Sequence, residues 1–257
     1  IPVKTLVELC VAKAMPAVAI TDTNNLFGAL EFAGTAAALG VQPIIGCQLS
    51  IAREALGRGG NASTMQGSAD AGALVVLVQN QDGYRHLLKL ISLAYLGGYG
   101  DPPPPPDPQV TLAQLEDYSG GLIALTGGPN GPVGRLLADG QTDDARALLE
   151  RLSNTFPDRL YVELMRHGLK HEEQTEPLFL GLAYEMDLPI VATNECFFAD
   201  VSMHEAHDAL ICIAEGAYVS GTDRRRLSPD HGFKSATATQ DRPYNLQEDG
   251  RPLLELL

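Results

Sequence analysis

The chain has 257 residues, 45 % of them apolar, and a formal net charge of −14. That length buries a full core as one large α/β domain or two small ones, and no apolar run approaches the roughly 18 residues that would span a bilayer. An acidic surface repels phosphate backbones, which excludes a segment that grips nucleic acid by itself while leaving room for a part of a larger DNA-handling machine.

In chain order, residues 1–15 ("IPVKTLVELCVAKAM") lack the basic, apolar and small-residue succession of a secretion signal. They read as an amphipathic helix already under way with no initiator Met, as in a fragment of a longer protein. Strand-like runs follow at residues 17–21, 41–52, 73–80, 121–127, 160–165 and 189–194, mostly continuous in hydrophobicity. That is the pattern of parallel strands covered on both faces. Helix-like stretches separate them at residues 26–40, 83–98, 132–140, 142–156 and 171–187. Their apolar residues recur at three and four, as in Leu87, Leu88 and Ile91. Gly40 and Gly97 stand where helix C-caps are expected. Repeated strand–helix units give an α/β class, barrel or open sheet, and periodicity does not choose between the two.

Two inserts and a tail interrupt the rhythm. Residues 53–72 are rich in Gly, Ser and Ala and read as a loop, and residues 98–109 ("GYGDPPPPPDPQ") as an extended, polyproline-like crossing. Residues 221–235 are basic and polar, and residues 236–257 show no clear period, so weak order is expected there. The cysteines Cys10, Cys47, Cys196 and Cys212 are far apart and form no C-x-x-C pair, which suits reduced thiols in a cytoplasmic protein.

Chemistry in parallel α/β folds collects at the carboxyl ends of the strands. Here those ends read Asp22 and Thr23, Cys47 and Gln48, Thr126 to Gly128, Glu163 with Arg166 and His167, and Asn194 with Glu195. Metals want carboxylates and imidazoles converging from several strands, and this set is thin for a di- or trinuclear site. His204 and His207 stand three apart, whereas the helical zinc-protease pattern needs four, so they read as a half-exposed helix face. The glycines of residues 127–135 lack a P-loop Lys and read as a tight turn. The arginines of residues 223–227 ("DRRRL") read as solvated surface.

The blocks "MPAVAITDTNNLFGALEF", "GVQPIIGCQLS", "NQDGYRHLLKLIS", "GLIALTGGPNG", "FPDRLYVEL", "LPIVATNECFFAD" and "HEAHDALICIAEG" occur in the order and spacing of one family. The sequence closely resembles the amino-terminal PHP (polymerase and histidinol phosphatase) domain of bacterial replicative DNA polymerase III alpha subunits, from Pro2 to about Ser235. The resemblance implies a distorted (β/α)7 TIM-like barrel, here without its first strand. It implies a PHP domain over residues 1–235, with residues 236–257 as a weakly ordered tail or the start of a linker to the polymerase region. Members that bear metal carry up to three zinc or manganese ions at the strand ends, cleave phosphoesters there, and in some polymerases support a 3′–5′ exonuclease.

Laid on this chain, the family's ligand pattern is systematically altered. The first-strand H-x-H segment lies upstream of Ile1. T-D-H stands as Thr21-Asp22-Thr23, and G-x-E as Gly46-Cys47-Gln48. A histidine expected before the third strand falls near Ala73, and the Cys or His after the S-G turn falls at Gly128. N-D-x-H stands as Asn194-Glu195-Cys196-Phe197. Only Asp22 and Glu195 keep ligand chemistry, and Gln48 and Phe197 occupy lost ligand positions. Losing even an outer support of a metal site costs about 10- to 100-fold in affinity, so Asp22 is expected to mark a vestigial site with no ion bound.

By resemblance, the expected role is a catalytically inactive scaffold of a DNA-directed DNA polymerase. Its expected partners are the downstream polymerase domains of the same chain, whose own site uses magnesium, and the proofreading exonuclease subunit. DNA would be met only through the parent holoenzyme, in the cytoplasm and away from membranes. The alternative is a residual metal-dependent phosphoesterase or 3′–5′ exonuclease built on Asp22, Glu195, Glu163, His167 and the upstream H-x-H. A free-standing small-molecule phosphatase needs the full ligand set and is the weakest of the three.

Overall fold

A computed structural model describes residues 1–52, 71–96, 107–221, 227, 229 and 254–255. The body of each insert, the cap at Gly97 and nearly all of the tail lie outside these residues. Helix α1 (Val3–Ala12) leads into strand β1 (Ala17–Ile20), α2 (Ala29–Ala38), β2 (Gln42–Ile51) and β3 (Gly72–Val78). Then come α3 (Gln81–Leu96), α4 (Leu112–Asp117), β4 (Leu122–Leu125), α5 (Pro132–Ala138), α6 (Thr142–Thr155) and β5 (Leu160–Leu164). The chain continues through α7 (Lys170–Glu185), β6 (Ile190–Ala192) and α8 (His204–Glu215), and the two-residue strand β7 (Leu254–Glu255) lies within the expected tail.

The seven strands lie side by side in sequence order, β1 through β7, the order of a barrel. The sheet curls into an open half-barrel, with β1 and β7 at its two edges. One expectation is corrected. The strands are not all parallel: β3 runs antiparallel to both β2 and β4, while β1–β2, β4–β5, β5–β6 and β6–β7 are parallel.

The registers give the reason. Gly72 pairs with Ile51, so β3 starts beside the end of β2 and must run back along it. After β3 the chain makes two passes rather than one. Val110 bridges to Ile51 near the start of β3, and Leu122 then pairs with Val78 at its end. An even number of passes delivers an antiparallel neighbour, where a single crossover delivers a parallel one.

Hydrophobicity alone carries no direction here, because β3 is apolar on both faces. Leu74 and Val76 enter the main core with Leu87, Leu90, Leu122, Leu149 and Phe156, while Val75 and Leu77 pack with Leu125 and Val191 on the opposite face. A third cluster joins Val7 and Cys10 of α1 to Phe32 and Ala36 of α2. Each fully buried Leu or Phe contributes about 1.5–3 kcal/mol.

Helix α6 buries Ala145, Leu148, Leu149 and Leu152 at spacings of three and four, with Asp143 and Asp144 in its first turn offsetting the positive end of the helix dipole. Gly40 ends α2 at φ +77°, a conformation glycine adopts without strain. Helix α4, which hydrophobic periodicity does not announce, is fixed by a capping box. The Thr111 hydroxyl accepts from Gln114 N at 3.1 Å, and the Gln114 side-chain oxygen accepts from Thr111 N at 2.9 Å. No described helix is long and apolar enough to cross a membrane.

Candidate functional site

The carboxyl ends of β1, β2, β4, β5 and β6, together with the amino end of β3, form one rim. At its β1–β2 corner, the backbone of Asp22 accepts from Gln48 N at 3.2 Å and from the Cys47 thiol at 3.2 Å. The Asp22 side chain is exposed. Thr23 and Gln48, two positions where the family's pattern has ligands, are bonded to each other. The Thr23 hydroxyl donates to Gln48 Oε1 at 2.9 Å, across a parallel bridge between the same two residues. Burial pushes the Cys47 thiol up to about 12, so it holds its proton and is a poor thiolate donor.

Glu163 is the centre of the β4–β5–β6 side. It is buried, and its carboxylate accepts from Gly127 N at 2.9 Å and from the Thr193 hydroxyl at 2.6 Å. Its own amide donates to Thr126 Oγ1 at 2.9 Å. Gly127 reaches this contact at φ +77°, and a Cβ there would lie 1.8 Å from the Ala73 carbonyl oxygen, so only glycine fits. Burial raises the Glu163 carboxyl to about 7; the two hydrogen bonds work against that rise, and the negative charge of Glu195 adds to it.

His167 follows β5 and is also buried, with its ring Nδ1 2.6 Å from Glu172 Oε1. Glu172 Oε2 accepts from His167 N at 2.7 Å and from Leu169 N at 3.1 Å. Burial opposes ionisation of Glu172, but the bond from the imidazole and those from the two amides outweigh it and hold the carboxyl below its ordinary value. With the carboxylate ionised, Nδ1 is the donor. The pair closes the first turn of α7 onto the β5 end through Nδ1.

Glu195 is half-buried beyond β6. Two residues on, the Phe197 ring packs 5.8 Å from the imidazole of His207, while Phe198 lies 5.7 Å from His207 and 5.8 Å from His204. His204 Nε2 lies 2.8 Å from the Leu227 carbonyl oxygen. These histidines form a half-buried aromatic face of α8. The glycine-rich residues after β4 make a single 3-10 turn (Gly128–Asn130) that runs into α5.

The rim thus brings together Glu163, Thr126, Gly127 and Thr193, with Glu195 near enough to act on Glu163. Thr23 and Gln48 hold the other corner. Sequence reading named Thr126, Gly127, Glu163, His167 and Glu195 but missed Thr193 and Glu172. Of the positions matched to the zinc or manganese ligands, Asp22 and Glu195 keep a carboxylate, and the others do not fit such a cluster. They offer an amide already bonded to a hydroxyl, a glycine without a side chain and a phenyl ring. Among the described residues, no group of three or more His, Cys, Asp or Glu is placed to hold a metal ion.

A sheet in barrel order with this altered rim is that of a PHP domain, and the chain belongs to the PHP domain family, whose profile matches residues 1–167. Its curated relatives are more specific. It is 44 % identical over 229 residues to the DNA polymerase III subunit alpha of Caulobacter vibrioides, covering 89 % of this chain and 19 % of that protein. It is 37 % identical over 234 residues to the same subunit of Vibrio cholerae, covering 91 % of this chain and 19 % of that protein. The chain therefore spans about a fifth of the length of these relatives. Among solved structures, an amidohydrolase from Chromobacterium violaceum aligns with a TM-score of 0.45 at 12 % identity, over 74 % of this chain and 81 % of that one.

Proposed function

We propose that this chain is the non-catalytic PHP module of a replicative DNA polymerase alpha subunit. It supports the polymerase portion of the same polypeptide and binds the proofreading exonuclease subunit. The supporting observation is the donor set at the rim: the sheet keeps its barrel order while Thr23, Gln48, Gly128 and Phe197 stand where imidazole, thiolate or carboxylate ligands would be required. Metal hydrolysis needs a bound ion with an open position to lower the pKa of a water, and this set does not build one. Glu163, invoked by the phosphoesterase alternative, is engaged in bonds to Gly127 and Thr193 that hold the strand ends.

The test is metal content. The purified chain, dialysed against zinc and then manganese, should retain less than one ion per molecule and leave a simple phosphodiester intact. Two or more ions retained together with hydrolysis would overturn the proposal. The partner claim is read separately, by co-sedimentation of the chain with the exonuclease subunit.

A further inference from the structure

Asn130 and Gly131 form the one Asn-Gly step of the sequence, and they lie in the turn that joins β4 to α5. Asn130 is exposed, and its side-chain amide is bonded to no described residue. The other described asparagines stand differently. Asn24 is buried, with its side chain bonded to Ser50 and to the Pro108 carbonyl. The side chains of Asn25 and Asn80 each accept from the backbone amide two residues on. Asn154 and Asn194 precede bulkier residues, Thr155 and Glu195.

The fold requires glycine at 131. A Cβ there would lie 1.9 Å from the Thr126 carbonyl oxygen, so no side chain can shield the Gly131 amide. That amide donates to the Gly128 carbonyl at 3.1 Å and closes a single 3-10 turn, whose bonds are poorer in geometry than those of an α-helix. The Asn130 carbonyl accepts from Arg135 Nε at 3.1 Å. A nitrogen whose proton is held in such a bond is a poor nucleophile, so the turn restrains it for as long as it stays closed.

We propose that Asn130 is a site of spontaneous deamidation, reached when the turn from Gly128 to Gly131 opens. The Gly131 amide nitrogen attacks Asn130 Cγ. It gives up its proton as the Cγ–Nδ2 bond breaks and ammonia leaves, which closes a succinimide ring. Water then adds to one of the two ring carbonyl carbons. Breaking the ring bond to Cγ leaves Asp; breaking the ring bond to the main-chain carbonyl carbon leaves isoaspartate, in which the chain runs through Cβ. The structure separates the two products. Asp puts one more carboxylate at an exposed position. Isoaspartate adds a main-chain carbon to a turn that has no room for it, where a Cβ on Gly134 would already lie 2.2 Å from the Gly128 carbonyl oxygen. The added length displaces Gly127 and Gly128, and with them the amide that donates to Glu163. None of this depends on the scaffold role or on whether the rim binds metal.

The experiment incubates the full chain at mildly alkaline pH, folded and in urea, and follows its peptides by mass spectrometry, with isoaspartate separated from Asp by chromatography. In the folded chain the peptide carrying residue 130 should gain about one dalton, about tenfold or more slowly than in urea. Peptides carrying Asn24 and Asn154 should stay unchanged in the folded chain. Asn130→Gln should abolish the gain. Asn130→Asp should keep the Tm of the unmodified protein, whereas the isoaspartyl fraction should melt at a lower temperature. The inference fails if the folded chain leaves residue 130 intact, if folding does not slow the reaction, or if Asn130→Gln still gains mass in that peptide. It also fails if the isoaspartyl fraction melts together with the unmodified protein.

Discussion

Replacing Glu163 by Gln isolates the one buried carboxyl at the rim whose ionisation opposes folding. In the unfolded chain this group ionises near 4.5, and burial raises it to about 7 in the folded state. Between those two values the folded protein holds a proton that the unfolded chain has released. Stability therefore falls as pH rises, by about 1.4 kcal/mol per pH unit and about 3 kcal/mol in all. The contribution is complete below about 4.5 and gone above about 7. A Gln at 163 mimics the protonated acid. Its oxygen accepts from Gly127 N as the carboxylate does, and its amide donates to the Thr193 hydroxyl. The variant should lack the slope. Urea unfolding of both proteins from pH 4.5 to 8 measures this directly, and the stability difference should shift towards Glu163→Gln by about 3 kcal/mol across that range. Parallel profiles would refute the reasoning, since they would mean that the rim already solvates the charge. The opposite slope belongs to Glu172, whose effect lies at more acid pH and leaves this window clear.

Glu172→Gln should lower stability by about 2 kcal/mol at pH 7, because a charged acceptor of three buried bonds is lost. Its deficit should begin to shrink as pH falls below the ordinary carboxylate value, where the unfolded wild-type chain takes up a proton that folded Glu172 still resists; urea midpoints at pH 3.5 and 7 check both points. Gly127→Ala should cost about 3 kcal/mol or prevent folding, from the Cβ clash with the Ala73 carbonyl and the left-handed backbone, read as a fall in Tm. Phe156→Ala, at a fully buried ring of the main core, should cost about 3–5 kcal/mol in urea unfolding with little change of secondary structure in the surviving fold.

The strands at residues 17–20, 42–51 and 160–164 were legible because continuous apolar runs end in polar residues at recognisable positions. Strand direction was not, since β3 buries Leu74 and Val76 on one face and Val75 and Leu77 on the other whichever way it runs. Helix α4 carried a readable Thr111–Gln114 signal that apolar spacing alone does not reveal. At the rim, carboxylates, histidines and Thr126 could be named from the chain, but the pairing of hydroxyls with Glu163 could not. Thr193 meets Glu163 across 30 residues of sequence, and no local pattern encodes that pairing. Glu172 was nearer to hand: five residues after His167, in the first turn of a helix, it is well placed to reach back to the strand end.

The two corners of the rim have one physical feature in common. A metal cluster at strand ends acts as a cross-link, and structural metal binding is worth about 10–16 kcal/mol of folding free energy in small domains. Here Thr23–Gln48 ties the ends of β1 and β2, and Glu163 ties the end of β5 to Gly127 after β4 and Thr193 after β6. Each such bond contributes only about 1 kcal/mol net. Hydrogen bonds of that size do not force strands into place; they are satisfied because the core beneath has already placed them. The strand ends are therefore positioned by Leu149, Phe156 and their neighbours in the core rather than by the bonds of the rim.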